Sequence, residues 1–495
     1  MLSDYLPTNP PERPGKGPTR LAHGEELSYG ARMRRPEPYA DKLARLAPRT
    51  LLSTLPPETR AFVERLALRY RFTFQELREV AQAARDLEMW REASLPAWWA
   101  QQLDPAPSSD DLRREKQSLL SRLAAHLAQL AAAPNVYPPT PLAGPTLSPL
   151  RIVEDTRPGV PAGRCPTHAT HTLCCGLHTI DAVAGCSMGC SYCAVQTFGD
   201  GTVAVERDLA AKLAALPLDP QRFYHLGTGQ ASDALAWGNR GHILDALCAF
   251  ATTHPNVLLE LKTKSDNVRY FLEHAAPPNV VPSWSLSTEA LAAHEEHRTA
   301  SVARRLDAAR SLCDRGRRVG FHFHPMLEHE GWVAGYRAVA QELVTRFHPD
   351  EVLFVSMGSL TMTRSVVQQI RRRGGESKIL EQPLVPDALG KWTYPEDLKA
   401  ALFGTLYDAL SAWHGQVPFY LCMEEAPVWT RVFGDSPPSA EAFFSDMYAS
   451  IQRKLGLPAL PPGSFTAAIA PGASATRRNP PPSEVGSSPG STLLK

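Results

Sequence analysis

The chain has 495 residues, 43% of them hydrophobic and 21% charged, which is enough for one large core or two to three domains. Its 52 Lys and Arg residues almost cancel its 51 Asp and Glu residues, so no strong overall basic field argues for nucleic acid. No stretch approaches the roughly 18 uncharged apolar residues of a membrane span, and the first residues lack an apolar core with a cleavage signal. The expectation is a cytoplasmic chain with no membrane partner. Nine cysteines are an odd total, unsuited to a disulfide framework. Six of the nine fall between Cys165 and Cys193, and such clustering in a cytoplasmic chain points to metal or redox chemistry.

Residues 1–45 are proline-rich and read as disordered or extended chain. A helical region follows over 46–134. In LPPETRAFVERLALRY, paired prolines precede a glutamate in the first turn, with Phe62, Leu66 and Leu68 as its apolar positions. TFQELREVAQAARDLEMW opens on Thr73 with Glu76 three residues later, the pattern of a capping box. DDLRREKQSLLSRLAAHLAQLAA reads as a third, longer amphipathic helix. Two helices around a short turn also fit a DNA-binding helix-turn-helix. The second helix carries both charge signs and no basic stripe, which favours a small packing domain.

Residues 135–177 form a proline-rich linker with a Cys/His segment. From 178 to 430 short apolar runs alternate with helical segments: HTIDAVAG, RFYHLG, NVLLELKTK, NVVPSWSLS, RVGFHFHP and EVLFVSMGS. Six β/α steps predict an α/β fold, a partial (β/α)6 barrel with helices outside a parallel sheet. Ser232, Asp233, Lys264 and Ser285 stand at the ends of these runs, where α/β folds gather their chemistry. A C-terminal helix is expected over 431–460 and a disordered tail over 461–495.

The sharpest motif is GCSMGCSYCAVQ, which spaces Cys186, Cys190 and Cys193 as C-x3-C-x2-C. Three thiolates in eight residues can hold one [4Fe-4S] cluster and leave its fourth iron open to a substrate or cofactor. Gly185 and Gly189 permit the tight backbone this needs. The alternatives are a structural zinc site with a fourth ligand and buried free thiols. CPTHATHTLCCG lies just upstream, with Cys165, His168, His171, Cys174 and Cys175. It fits a zinc site, a second cluster, or packing and redox thiols. His322 and His324 alternate on one predicted strand and so face the same side.

The cysteine triplet after a first barrel strand, with Tyr192 as its aromatic, resembles the radical S-adenosylmethionine superfamily. GTGQASDAL, ELKTKSDNV, WSLS, the Glu296, Thr299 and Arg305 set, GFHFHP, HEGWVAGY, GKWTY and YLCMEEAPVW then follow in order. Together they resemble the spore photoproduct lyase family. The resemblance implies a lyase-like radical enzyme whose cluster is held by Cys186, Cys190 and Cys193. Its cofactor would be S-adenosyl-L-methionine, cleaved reductively to a 5′-deoxyadenosyl radical that abstracts hydrogen. The electron would come from a donor such as flavodoxin or ferredoxin. The implied partner is damaged DNA carrying a thymine photolesion.

The resemblance places the cofactor against Tyr192, Gly227, Gly229, Ser232, Asp233, Lys264 and Ser285. Their chemistry agrees: Asp and Ser suit an ammonium, Lys a carboxylate, Ser a ribose hydroxyl. Arg305 reads as one half of a structural ion pair. Two departures stand out. Lesion-repairing relatives carry a hydrogen-donor cysteine where this chain has Gln230, and tend to have a tyrosine where it has Ala194. Cys422 is a candidate donor, with a buried core cysteine as its plainer role. The departures keep a second reading open, a radical enzyme acting on a small molecule, nucleoside or peptide. A third is a non-catalytic metal-binding interaction protein. A local DNA-binding patch would draw on Arg304, Arg305, Arg310, Arg317, Arg318 and Arg371 to Arg373.

Overall fold

Apolar runs rich in Val, Ile, Leu and Phe form strands buried on both faces, which parallel sheets covered by helices require. The computed structural model describes residues 38–102, 112–147, 149–159, 162–165, 172–173, 175–459, 461 and 465. Its main sheet has eight strands: β1 (Ala162–Arg164), β2 (His178–Ile180), β3 (Tyr224–Thr228), β4 (Val257–Thr263), β5 (Val280–Ser285), β6 (Val319–Met326), β7 (Val352–Ser359) and β8 (Phe419–Leu421). They lie side by side in chain order. Neighbours from β2 to β8 are parallel, and β1 runs antiparallel to β2 at the edge. The sheet curls into a half-barrel.

The six runs expected as barrel strands are β2 to β7. Strands β1 and β8, three residues each, were not expected. A run of three is too short to carry a readable alternation. The HTIDAVAG run also splits. After β2 the chain turns, and Val183–Ala184 pairs instead with Thr202–Glu206 in a separate three-stranded sheet. That turn starts the cysteine loop.

The helical region comprises α1 (Tyr39–Leu46), α2 (Pro57–Tyr70), α3 (Phe74–Trp90), α4 (Leu95–Gln102) and α5 (Leu112–Ala132). These helices share their own apolar core around Val63, Phe72, Leu77 and Leu87. Helix α1 lies inside the stretch expected to be extended, because Leu43 and Leu46 find burial there. The capping box at α3 forms: Glu76 N–H donates to Thr73 Oγ1 at 3.2 Å, and Thr73 N–H donates to Glu76 Oε2 at 2.7 Å. In α2, Leu68 is half exposed, while Val63, Ala67 and Tyr70 are buried at the 3–4 spacing of a helical stripe. The C-terminal helix runs over Ala440–Leu455 and buries Phe444, Met447, Tyr448 and Ile451. Of the terminal segments expected to be disordered, residues 1–37 and nearly all of 461–495 lie outside the described residues. Among the described residues no helix is long and apolar enough to cross a membrane.

Candidate cluster site at the barrel rim

The cysteine loop depends on glycine where the backbone crowds. Gly185 has φ +92°, and a Cβ there would overlap the Thr202 carbonyl oxygen. Its N–H donates to Ala231 O at 2.9 Å, tying the loop to the segment after β3. Cys190 is buried, and Cys186 and Cys193 are half-buried. Cys193 N–H donates to Cys190 O at 3.2 Å, and Gln196 Nε2 donates to Cys186 O at 2.6 Å. Burial pushes the Cys186 thiol up to about 12, and it also drives Cys190 well above the usual thiol range. Cys190 feels the charges of Glu296, Lys264, Cys193 and Cys186, so the three thiols share one neighbourhood.

Among the described residues no group of three or more His, Cys, Asp or Glu is set to hold a single metal ion. Three thiols in one neighbourhood are the donor set of a cube that takes one thiolate at each of three irons.

The strand ends after β3, β4 and β5 face this loop. Gly229 has φ +105° and packs on the Lys262 carbonyl, so no side chain fits there. Gly227 is buried with Leu177 at its Cα. Lys264 Nζ donates to Ser285 Oγ at 2.5 Å and to His324 O at 3.3 Å. It also lies 3.5 Å from Glu296 Oε1 and 5.8 Å from the Tyr192 ring centroid. Lys264, Ser285 and Tyr192 therefore converge on the thiols. Gln230 brings an amide whose oxygen and nitrogen are both buried without a hydrogen-bond partner among the described residues. Buried amide groups usually have partners, so Gln230 stands out at this rim.

Ser232 and Asp233 do other work in this structure. Ser232 Oγ donates to Gly185 O at 2.5 Å and accepts from Trp237 Nε1 at 2.9 Å. Asp233 accepts from Leu235 N, Ala236 N and Thr263 Oγ1 on one oxygen and from Lys264 N on the other, all within 3.0 Å. Three of these donors crowd Oδ1 and one reaches Oδ2, which leaves an acceptor position on Oδ2 open. Asp233 also has a buttressing role. It fixes the end of β4 and so the direction in which Lys264 leaves it.

Glu296 is the buried charge at this rim that strand-end reasoning passed over. It is buried and accepts hydrogen bonds from Tyr192 Oη and from Arg305. Burial raises its pKa, but the charges of Arg305 and Lys264 and the Tyr192 hydrogen bond outweigh that and bring it down to about 2. Arg305 is fully buried, as an ion-pair partner should be, and also donates to Ser285 O at 2.8 Å and Thr299 Oγ1 at 2.7 Å. The signal for Glu296 was its spacing to Thr299 and Arg305.

The other sequence candidates divide. His322 and His324 do share a face, with ring centroids 5.2 Å apart. His322 bonds Glu260 at 2.5 Å and His324 bonds Ser356 at 2.8 Å, so both serve an interior polar network. Several of the arginines named for a DNA patch have partners within the fold. Arg305 is internal, Arg304 pairs with Asp266, and Arg310 pairs with Glu351. Arg317 donates to the Ala276 and Val280 carbonyls, and Arg371 pairs with Asp86. Arg372 is exposed. Cys422 follows β8, where its N–H donates to Met357 O at 2.7 Å. Cys165 and Cys175 are half-buried, while His168, His171 and Cys174 lie outside the described residues.

Fold and site together define a β/α half-barrel that carries a three-cysteine loop and a lysine–serine pair at one rim. Residues 176–379 match the family model described as spore photoproduct lyase. The spore photoproduct lyase of Geobacillus sp. (strain Y412MC61) is 27% identical over 172 residues, which are 34% of this chain and 50% of that protein. The chain thus spans about half the length of this curated relative. Solved structures of spore photoproduct lyase are similar at low identity. A cysteine-to-alanine variant with dinucleoside spore photoproduct shares 21% identity at a TM-score of 0.44, covering 49% of this chain and 75% of that one. A cysteine-to-serine variant shares 19% at a TM-score of 0.45, covering 55% and 81%.

Proposed function

We propose that this chain is a cytoplasmic radical S-adenosylmethionine enzyme of the lyase type, with a [4Fe-4S] cluster on Cys186, Cys190 and Cys193. The observation that carries this reading is the convergence of three thiols with Lys264 and Ser285 at one barrel rim. When bound, cluster and cofactor together supply a carbon radical that abstracts a hydrogen atom. The protein's own part is binding, orientation and water exclusion. Lys264 offers its ammonium to the cofactor carboxylate, Ser285 a hydroxyl to the ribose, and Gly227 and Gly229 an approachable backbone. Tyr192, held on Glu296, closes the floor between thiols and lysine.

The test is anaerobic reconstitution with iron and sulfide, reduction by dithionite, and chromatography for 5′-deoxyadenosine. Wild type should form it, and Cys190→Ala should form none. Lys264→Met should keep the iron and lose cofactor binding. Iron uptake by Cys190→Ala equal to wild type would refute the cluster assignment.

For the substrate, the family resemblance supports a thymine photolesion in DNA, with an iron–sulfur or flavin protein as electron donor. Gln230 and its unpartnered amide favour the second reading, a substrate or hydrogen donor different from those of lesion-repairing relatives. An amide has no weak bond to donate, but it can recognise a polar group. Transfer of deuterium from labelled thymine lesion into 5′-deoxyadenosine decides between the two: transfer supports lesion repair, and its absence supports another substrate.

A further inference from the structure

The helix Arg364–Arg373 ends in three arginines with three different surroundings. Arg371 pairs with Asp86 of α3 at 2.6 Å. Arg372 is exposed. Arg373 turns inward and donates from Nη2 to Ser191 O at 3.0 Å, inside the cysteine loop. Its Nε and Nη1 are buried and have no hydrogen-bond partner among the described residues. The Arg364–Arg373 helix packs on the short helix Ala194–Phe198, whose N-cap is Cys193.

This placement is enforced from outside the barrel. Arg85 of α3 donates from Nε to Arg371 O and from Nη2 to Gly375 O, both at 2.9 Å. Ser377 N–H donates to Met89 O at 2.8 Å. The helical region thus clamps both sides of the turn that carries Arg373. A guanidinium always carries its charge, and leaving two of its donors buried and unmet is costly. Ser191, which holds the third donor, lies between Cys190 and Cys193 in the chain, so the unmet donors belong to a side chain anchored inside the cysteine loop.

We infer that Arg373 is a positioning residue for the cluster, donating its two unpartnered N–H groups to cluster or thiolate sulfur and raising the cluster's reduction potential. This rests on the cluster assignment above. Hydrogen bonds to sulfur and net local charge set cluster potentials. The reduced cluster holds one more electron, so a fixed cation stabilises it more than the oxidised form. The helical region gains a role as well, because it holds that cation in place.

The experiment uses the full chain, reconstituted anaerobically as wild type, Arg373→Gln, Arg373→Lys and the exposed control Arg372→Gln. Iron and sulfide per chain are counted, and the midpoint potential is read by electron paramagnetic resonance during a dithionite titration. Arg373→Gln should make one-electron reduction about tenfold less favourable, a fall of about 59 mV. Arg373→Lys should fall between it and wild type, and Arg372→Gln should match wild type. An Arg373→Gln potential equal to wild type overturns the inference, as does an equal shift in Arg372→Gln. Should Arg373→Gln take up no iron, Arg373→Lys decides. A cluster retained with the charge supports the inference. Loss of iron in both variants makes Arg373 a mere buttress of the Ser191 carbonyl and overturns it. A wild-type chain that binds no iron is a separate failure, that of the cluster assignment.

Discussion

Replacing Glu296 with Gln removes one charge from the centre of the site and leaves its shape. Arg305 would then stand fully buried without a counter-charge, a change that costs about 3–5 kcal/mol. The carboxyl itself gives a second measure. It moves from an ordinary 4.5 to about 2 in the fold, and at 1.36 kcal/mol per pH unit this corresponds to about 3 kcal/mol. A depressed carboxyl pKa stabilises the fold above the unfolded value, and that stability is lost as pH falls from about 4.5 to about 2. Urea unfolding of the chain without cluster, followed by tryptophan fluorescence, should show Glu296→Gln destabilised by about 3 kcal/mol near neutral pH. The gap to wild type should narrow below about pH 4.5. Adding Arg305→Met to Glu296→Gln should recover part of the loss, because the stranded charge is gone. A loss under about 1 kcal/mol, or no recovery in the double variant, would refute the reasoning.

Other positions give simpler outcomes. Thr73→Ala removes the side-chain half of the α3 capping box and should cost about 1 kcal/mol, read as a lower thermal midpoint of the helical region. Gly229→Ala places a Cβ on the Lys262 carbonyl at φ +105°. It should destabilise by about 2 kcal/mol or more and weaken cofactor binding in equilibrium dialysis. Unchanged stability there would mean that the segment after β3 moves freely.

Local rules carried much of the fold. The Thr73–Glu76 box and the six apolar runs depend on spacing alone, and each gives its element, although the HTIDAVAG run splits after Ile180. Short pairings did not show, because β1 and β8 gain their partners through the closing of the sheet rather than through any pattern of their own. The site was legible in part for the same reason. Cys186, Cys190 and Cys193 are close in sequence, so their convergence is local. Lys264 and Ser285 end neighbouring strands, and the sheet register brings them together. The bonds by which Asp233 fixes the next strand end were not legible, since that contact is visible only in three dimensions. Arg373 lay beyond reach, since a run of three arginines reads as a solvated helix end. Only the packing of α3 on the Arg364–Arg373 helix turns one of them inward.

The cysteine loop is held less by the strand ends than by residues 295–298, at the end of the helix Glu289–Glu295 that follows β5. Ser191 N–H donates to Glu295 O at 2.9 Å, Ser191 Oγ meets His297 Nε2 at 3.0 Å, and Arg298 N–H donates to Met188 O at 3.0 Å. Two adjacent carboxylates in this stretch have opposite electrostatics. Glu295 faces mainly neutral donors, Ser377 Oγ, Lys378 N and Tyr137 Oη, and burial raises its pKa. Glu296 faces Arg305 and Lys264 and is held ionised. Glu295 therefore fastens the loop to the proline-rich segment and to the turn after Arg373, while Glu296 fastens it to the barrel rim through Tyr192. A negative group within reach of the thiols disfavours their ionisation, and Glu296 does so at Cys190. Lys264 and Arg373 supply the opposing positive charge from two sides. The loop thus lies between two cations, one from the barrel and one delivered through the helical region.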